Sequence, residues 1–175
     1  MTYLNNKYVY DKLLHICRQK GDISLNSKKI IVFIIAVIIT MFTQTFAATT
    51  AEIKQAIIKE SKAMGVEPAI MLSIAKTESG FRQNVKASSG NVGVFQLFPA
   101  TAKRMGYNAY NLDENIKAGI TYYKNMYKTF GSMELAVAAY NSGPDAVKKY
   151  KSVPPNSRAF VNRIMADYKY FQKNL

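Results

Sequence analysis

Pro68-Ala-Ile-Met-Leu-Ser-Ile-Ala-Lys-Thr-Glu78-Ser79-Gly80-Phe81 reads as one helix with both ends marked. Pro68 suits the first turn, where a backbone N–H would have no partner anyway and where the fixed φ of proline is already helical. Gly80 suits the C-terminal cap, where the chain turns left-handed. Between them Met71, Ala75 and Glu78 share one stripe by the three- and four-residue rule. That apolar stripe delivers Glu78 into the last turn and toward the interior. A negative charge at that end opposes the helix macrodipole, a mismatch that favours the protonated form.

The same punctuation recurs on either side. Thr49-x-x-Glu52 is a capping-box pattern opening a helix with Ile53, Ile57 and Met64 at helical spacing, stopped by Gly65. Pro99 to Arg104 reads as a short helix ended by Gly106. Asp113 is placed to cap a long helix, Glu114 to Phe130, closed by Gly131. Ser132 caps the next, Met133 to Asn141, and Pro144 opens a short one through Tyr150. After Val153-Pro154-Pro155, Asn156 or Ser157 opens a last helix through about Phe171. Ser88-Ser89-Gly90-Asn91-Val92-Gly93 reads as loop. No repeat and no sustained strand-type alternation appears. The expected fold is mainly α, six or seven helices, with a small irregular or hairpin segment near 84–97.

Composition shifts once. Ser27-Lys28-Lys29 precedes Ile30 to Phe42, thirteen residues without a charge. A bilayer-spanning helix needs about 20 apolar residues. The run therefore matches the core of a secretory signal, with Thr45-Phe46-Ala47 as its cleavage site. The expected organisation is a tail plus signal peptide over residues 1–47 and one domain over 48–175. The stretch ahead of the run is long for a signal. Left uncleaved, the run extended through Ala48 acts as an inner-membrane anchor with its basic side in the cytoplasm. Either way the domain is exported, to the periplasm or cell envelope.

Cys17 and His15, the single cysteine and histidine, both precede the apolar run. The exported part then has no disulfide and no structural zinc site, and neither a metal nor a cofactor is expected. Net charge is +13, of which residues after 47 carry +9, from 18 basic and 9 acidic residues. Such a surface attracts polyanions. Its basic residues are scattered and an exported chain seldom meets nucleic acid, so anionic cell-wall polymer or membrane headgroups fit better.

Two further blocks give Glu78 a context. Gly93-Val94-Phe95-Gln96-Leu97-Phe98-Pro99 begins 15 residues after it, and Ala139-Tyr140-Asn141-Ser142-Gly143-Pro144 lies about 60 residues on. A Glu before Ser and Gly often just closes a helix. In this order and spacing, the three blocks resemble the catalytic domain of the soluble lytic transglycosylase family, lysozyme-like enzymes that cut peptidoglycan. The resemblance runs from roughly Ala51 to Tyr168 and implies a goose-type lysozyme-like domain, a monomer acting on peptidoglycan glycan strands.

The chemistry agrees with the residues. Cleaving a glycosidic bond near neutral pH requires an acid that stays protonated, and desolvation in an apolar pocket raises a carboxyl's pKa. Most glycosidases pair two carboxylates, with substrate-assisted enzymes among the exceptions. The matched blocks contain one, Glu78. The resemblance implies that this Glu protonates the departing oxygen of the MurNAc–GlcNAc β-1,4 bond while the N-acetyl group stabilises the cationic centre. It then takes a proton from the C6 hydroxyl, leaving a 1,6-anhydromuramoyl end.

The resemblance also implies that Ser79 orients the acid, Gln96 contacts glycan, Tyr140 bonds near the acid and the N-acetyl group, and Asn141 holds sugar or the cleft wall. Gly93 and Gly143 would allow close backbone approach. Tyr140 read without the family is a core residue with its hydroxyl satisfied, and Gln96 a loop hydrogen-bonder. Tyr107, Tyr110, Tyr122, Tyr123 and Tyr127 are sugar-stacking faces or, at helical spacing, core. Val94-Phe95 replaces the family's usual Leu-Met, and Phe160 falls where many relatives have Tyr. By analogy such compact enzymes serve secretion, conjugation or pilus machines. The rival readings are a goose-type lysozyme-like hydrolase and a catalytically idle glycan-binding or docking protein.

Overall fold

The computed structural model of the protein describes residues 48–175. The readings placed on residues 1–47 lie outside these. Among the described residues there are seven α-helices and one short 3-10 turn. They are α1 (Thr50–Ala63), α2 (Pro68–Ser79), α3 (Pro99–Arg104), α4 (Leu112–Phe130), α5 (Met133–Ser142), α6 (Pro144–Tyr150) and α7 (Arg158–Asn174), with the 3-10 turn at Pro155–Ser157.

The N-terminus of α1 is set by a capping box: Glu52 N–H donates to Thr49 Oγ1 at 3.3 Å and Thr49 N–H to Glu52 Oε2 at 2.8 Å. Those bonds favour the charged form and hold the Glu52 carboxyl below its ordinary pKa. Pro68 opens α2 and Gly80 closes it in the left-handed conformation, as the sequence reading expects.

Two helices form the centre. Ala69 to Ala75 of α2 and Ala136 to Tyr140 of α5 are buried without interruption. A helix apolar all round belongs inside a bundle rather than on its surface. α2 packs most extensively against α7 and next against α1, while α5 is covered by α4, α6 and α7. Small residues on α5 let these neighbours approach closely, and large ones from α2, such as Met71, Leu72 and Ile74, fill the core.

The structure moves three boundaries. α4 begins at Leu112, capped by Asn111, whose Oδ1 accepts from Glu114 N–H at 3.1 Å; Asp113 lies inside the first turn. The Glu114 carboxylate accepts from Asn108 N–H at 2.6 Å, which pulls the start of the helix back. α7 is preceded by the 3-10 turn and runs to Asn174, beyond Phe171. Ser157 stands at the N-cap position of α7, as expected, but makes no side-chain cap bond; its hydroxyl donates to Asn141 Oδ1 at 3.0 Å. The segment near 84–97 is irregular: two isolated antiparallel bridges, Lys86–Val92 and Val92–Leu97, fold it back on itself.

Candidate active site

Glu78 sits in the last turn of α2, half-buried. Its cationic neighbours in sequence are engaged elsewhere. Lys76 pairs with Asp167 of α7 at 2.6 Å, and Arg82 donates Nε to the Ser79 carbonyl at 2.7 Å. Among the described residues no cation therefore holds Glu78 ionised, and burial pushes its carboxyl up to about 7. An acid with that pKa is still substantially protonated near neutrality and still able to titrate, as proton transfer requires.

The loop Gly93–Gln96 brings Gln96 to the cleft that Glu78 lines, and every backbone polar group in it has a partner. Gly93 N–H donates to Val85 O at 3.0 Å, and Gly93 O accepts from Gln96 N–H. Val94 N–H donates to Gln83 Oε1 at 3.2 Å, and Val94 O accepts from Ser79 Oγ at 2.8 Å. Phe95 N–H donates to Asn115 Oδ1 at 2.9 Å, and Phe95 O accepts from Tyr140 OH at 2.8 Å. Gln96 O accepts from Asn91 Nδ2 at 2.7 Å. Buried backbone groups must be paired, and here the partners come from α2, α4, α5 and the irregular segment.

Two glycines make the clamp geometrically feasible. A Cβ on Gly93 would fall on the Asn115 amide, and one on Gly119 would fall on the Phe95 ring. Gly93 also has φ +81°, which other residues rarely adopt. Gln96 itself has φ +44°, a conformation uncommon outside glycine that the surrounding bonds hold in place.

The result is a cleft of about 340 Å³. Glu78, Tyr140 and Asn141 line one side, Asn91, Gln96, Leu97 and Phe98 another, and Thr101, Tyr122, Ser142 and Gly143 complete it. Tyr122 meets Tyr140 edge-on, ring centroids 5.1 Å apart. Burial first, then the nearby Glu78 charge, keeps the Tyr140 hydroxyl far above its ordinary pKa, so it remains a neutral donor. Among the described residues no group of three His, Cys, Asp or Glu gathers as for a metal ion.

Residues 55–160, which include all these groups, match the model of the transglycosylase SLT domain family. The chain belongs to this family. Similar curated proteins include the transglycosylase of Enterobacteria phage PRD1, 28% identical over 58% of this chain and 40% of that protein. The soluble lytic murein transglycosylase of Escherichia coli K12 is 29% identical over 57% of this chain and 20% of that one. This SLT chain thus spans less than half the length of the curated relatives it matches. Among solved structures, an inactive mutant of the lytic transglycosylase Slt from Pseudomonas aeruginosa superposes with a TM-score of 0.61. It is 26% identical, covering 68% of this chain and 24% of that one. The fold is the lysozyme-like fold of the SLT domain.

Within this SLT site, Glu78, Gln96, Tyr140 and Asn141 all line the cleft. Ser79 is different. It is buried, and its hydroxyl donates to Val94 O and accepts from Arg82 N–H at 3.0 Å. It makes no hydrogen bond to the Glu78 carboxyl, because the next residue on a helix points about 100° away. Asn141 Oδ1 is occupied by Ser157. Gln96 Nε2 donates to Val85 O and Gly93 O, at 3.1 and 2.8 Å. Its Oε1, without a partner among the described residues, is therefore an acceptor for the cleft. Gly143 has open space around it, so it serves the α5–α6 turn rather than close approach.

Asn115 and Gln83 were missed by sequence reasoning. Asn115 is fully buried and also donates Nδ2 to Val92 O and Ala109 O. The only local signal was a polar residue on the apolar face of α4. Of the tyrosine set, Tyr122 lines the cleft, whereas Tyr123 is buried and stacks on Tyr127 at 6.2 Å.

Proposed function

We propose that this chain is a peptidoglycan lytic transglycosylase in which Glu78 is both acid and base. The observation carrying the reading is that, among the described residues, the cleft holds a single half-buried carboxyl, paired with no cation and raised to about 7. Protonated Glu78 donates to the oxygen between MurNAc and GlcNAc, and the glycosidic bond breaks toward GlcNAc. The N-acetyl oxygen of MurNAc stabilises the cationic carbon. Carboxylate Glu78 then takes the proton of the C6 hydroxyl as that oxygen closes on C1, giving the 1,6-anhydro end. Gln96 Oε1 accepts from the sugar, Tyr140 forms the wall beside the acid, and Asn141 lines the sugar site. Ser79 supports the site by bracing Val94.

The names of the relatives support the reaction class, and the absence of a second cleft carboxylate among the described residues supports substrate assistance over a paired-carboxylate hydrolase. On this reading, residues 48–175 are the catalytic domain and act as a monomer. Residues 1–47 direct export to the envelope, where an envelope-spanning secretion, conjugation or pilus machine is the class of partner that needs a local opening in the wall.

The test is digestion of purified peptidoglycan by wild type and Glu78→Gln, with products weighed by mass spectrometry. Anhydro products from wild type and none from the folded variant are expected. Products heavier by one water would assign a lysozyme-like hydrolase instead. Wild-type-like clearing by the variant would remove Glu78 from the chemistry, and an inert wild type that still binds glycan would leave a docking protein.

A further inference from the structure

We propose that Arg104, with Thr101 and Tyr122, forms a carboxylate-binding edge of the cleft that receives the stem peptide of the glycan strand. The inference rests on the reading of the cleft as a peptidoglycan site and adds the part of the substrate that this edge recognises. Arg104 ends α3 and is exposed. Its Nη2 donates to Thr101 Oγ1, one turn back, at 3.3 Å, and Thr101 lines the cleft. Tyr122 lines the same cleft from α4, and burial raises its hydroxyl's pKa while the nearby Arg104 charge opposes that rise. The guanidinium therefore acts on cleft groups from two different helices.

No carboxylate pairs with Arg104 among the described residues, where the ion pairs are Lys76–Asp167 and Lys148–Asp145. Glu78, the one carboxyl lining the cleft among the described residues, is raised by burial with no cation acting against that rise, so it does not engage Arg104. A free guanidinium presents a planar fork that suits both oxygens of a carboxylate. Thr101, accepting from Arg104, keeps its own hydrogen to donate, and the neutral Tyr122 hydroxyl is a further donor. Uncharged sugar rings offer such an edge nothing anionic. The stem peptides hanging from the muramoyl residues carry free carboxylates, so they are the part of the polymer this chemistry selects.

The test is calorimetric binding to the full chain carrying Glu78→Gln, with and without Arg104→Gln. The ligands are a muramoyl tetrasaccharide with stem peptides, the same with its peptide carboxylates amidated, and the peptide-free glycan with its lactyl carboxylates amidated. Arg104→Gln should weaken the free-carboxylate ligand by about fivefold at low salt, the upper end for an exposed pair, bringing it to the level of the amidated one. Arg104→Lys should recover part of the difference, and high salt should erase it as screening shortens the Debye length. An undiminished preference for free carboxylates in Arg104→Gln, or equal weakening of all three ligands, overturns the proposal. A carboxylate preference that depends on Arg104, beside a wild type that releases no anhydro product from peptidoglycan, would sink the enzymatic reading alone. Binding of no glycan at all overturns both.

Discussion

Replacing Glu78 by Gln should stabilise the folded chain, and the gain should appear only as pH rises. Burial moves the carboxyl from an ordinary 4.5 to about 7. Each tenfold change in proton affinity is worth about 1.4 kcal/mol, so the ionised form is up to about 3 kcal/mol less favourable in the folded chain than in the unfolded one. Below pH 4.5 both states hold the proton and nothing is lost. Between 4.5 and about 7 the unfolded chain releases its proton first, and stability falls. Above about 7 the folded chain ionises too, and the deficit becomes constant. Because water enters the cleft, about 2 kcal/mol is the working expectation and about 3 kcal/mol the ceiling.

Glutamine has nearly the same shape and no charge to desolvate, so the variant lacks this term. Urea melts of both proteins from pH 4 to 8 measure it, since other titrating groups cancel in the difference. At roughly 3–5 °C per kcal/mol for a domain of this size, thermal midpoints should separate by about 6–10 °C at pH 8 and converge at pH 4. A difference that stays flat across that range would show that Glu78 is not desolvated and would remove the physical basis for its role as an acid. A difference of opposite sign would mean that an unrecognised cation stabilises the carboxylate.

Turnover should follow the same group: kcat/KM on soluble glycan falls about tenfold per pH unit above 7, because the acid form is lost, and a profile still flat at pH 9 with chemistry rate-limiting would exclude Glu78 as donor. Asn115→Ala leaves Phe95 N–H unpaired and takes from Val92 O and Ala109 O one of their two donors, Leu97 N–H and Gln83 Nε2 remaining; it should cost about 2 kcal/mol in urea melts and lower kcat more than it raises KM as the loop under Gln96 loosens. Asn111→Ala should destabilise by about 1 kcal/mol through loss of the α4 cap, whereas Asp113→Ala should cost less than half of that in the same melts, and the reverse order would restore Asp113 as the cap.

Local rules carried the helices because caps and stops are local. Thr49 with Glu52, Pro68 with Gly80, Ser132 and Pro144 each mark an end within four residues of the groups they satisfy. The one misplaced cap, Asp113 for Asn111, shows the limit of the same rule. Both residues can accept from a helix N-terminus, and the choice was made by Glu114 reaching back to Asn108. Glu78 was legible for a similar reason, since an apolar stripe on a capped helix predicts where a carboxyl points. Its raised pKa required in addition that Lys76 turn to Asp167 on α7, 91 residues away.

The site's other residues were legible as names but not as actions. Ser79 and Tyr140 stood out because they flank the acid and mark the third block, which invites a role at the sugar. In the folded chain their hydroxyls hold Val94 O and Phe95 O, across 15 and 45 residues. Asn115, which no motif singled out, holds the other end of Phe95. Hydrogen bonds over such separations leave no periodicity to read, and a buried polar residue on a helix looks the same whether it is a flaw or a clamp. The three sequence blocks are therefore joined mechanically as well as chemically. The block that carries the acid and the block that carries Tyr140 both grip the loop that presents Gln96, so displacing any one of them should shift the donor, the acceptor and the wall together.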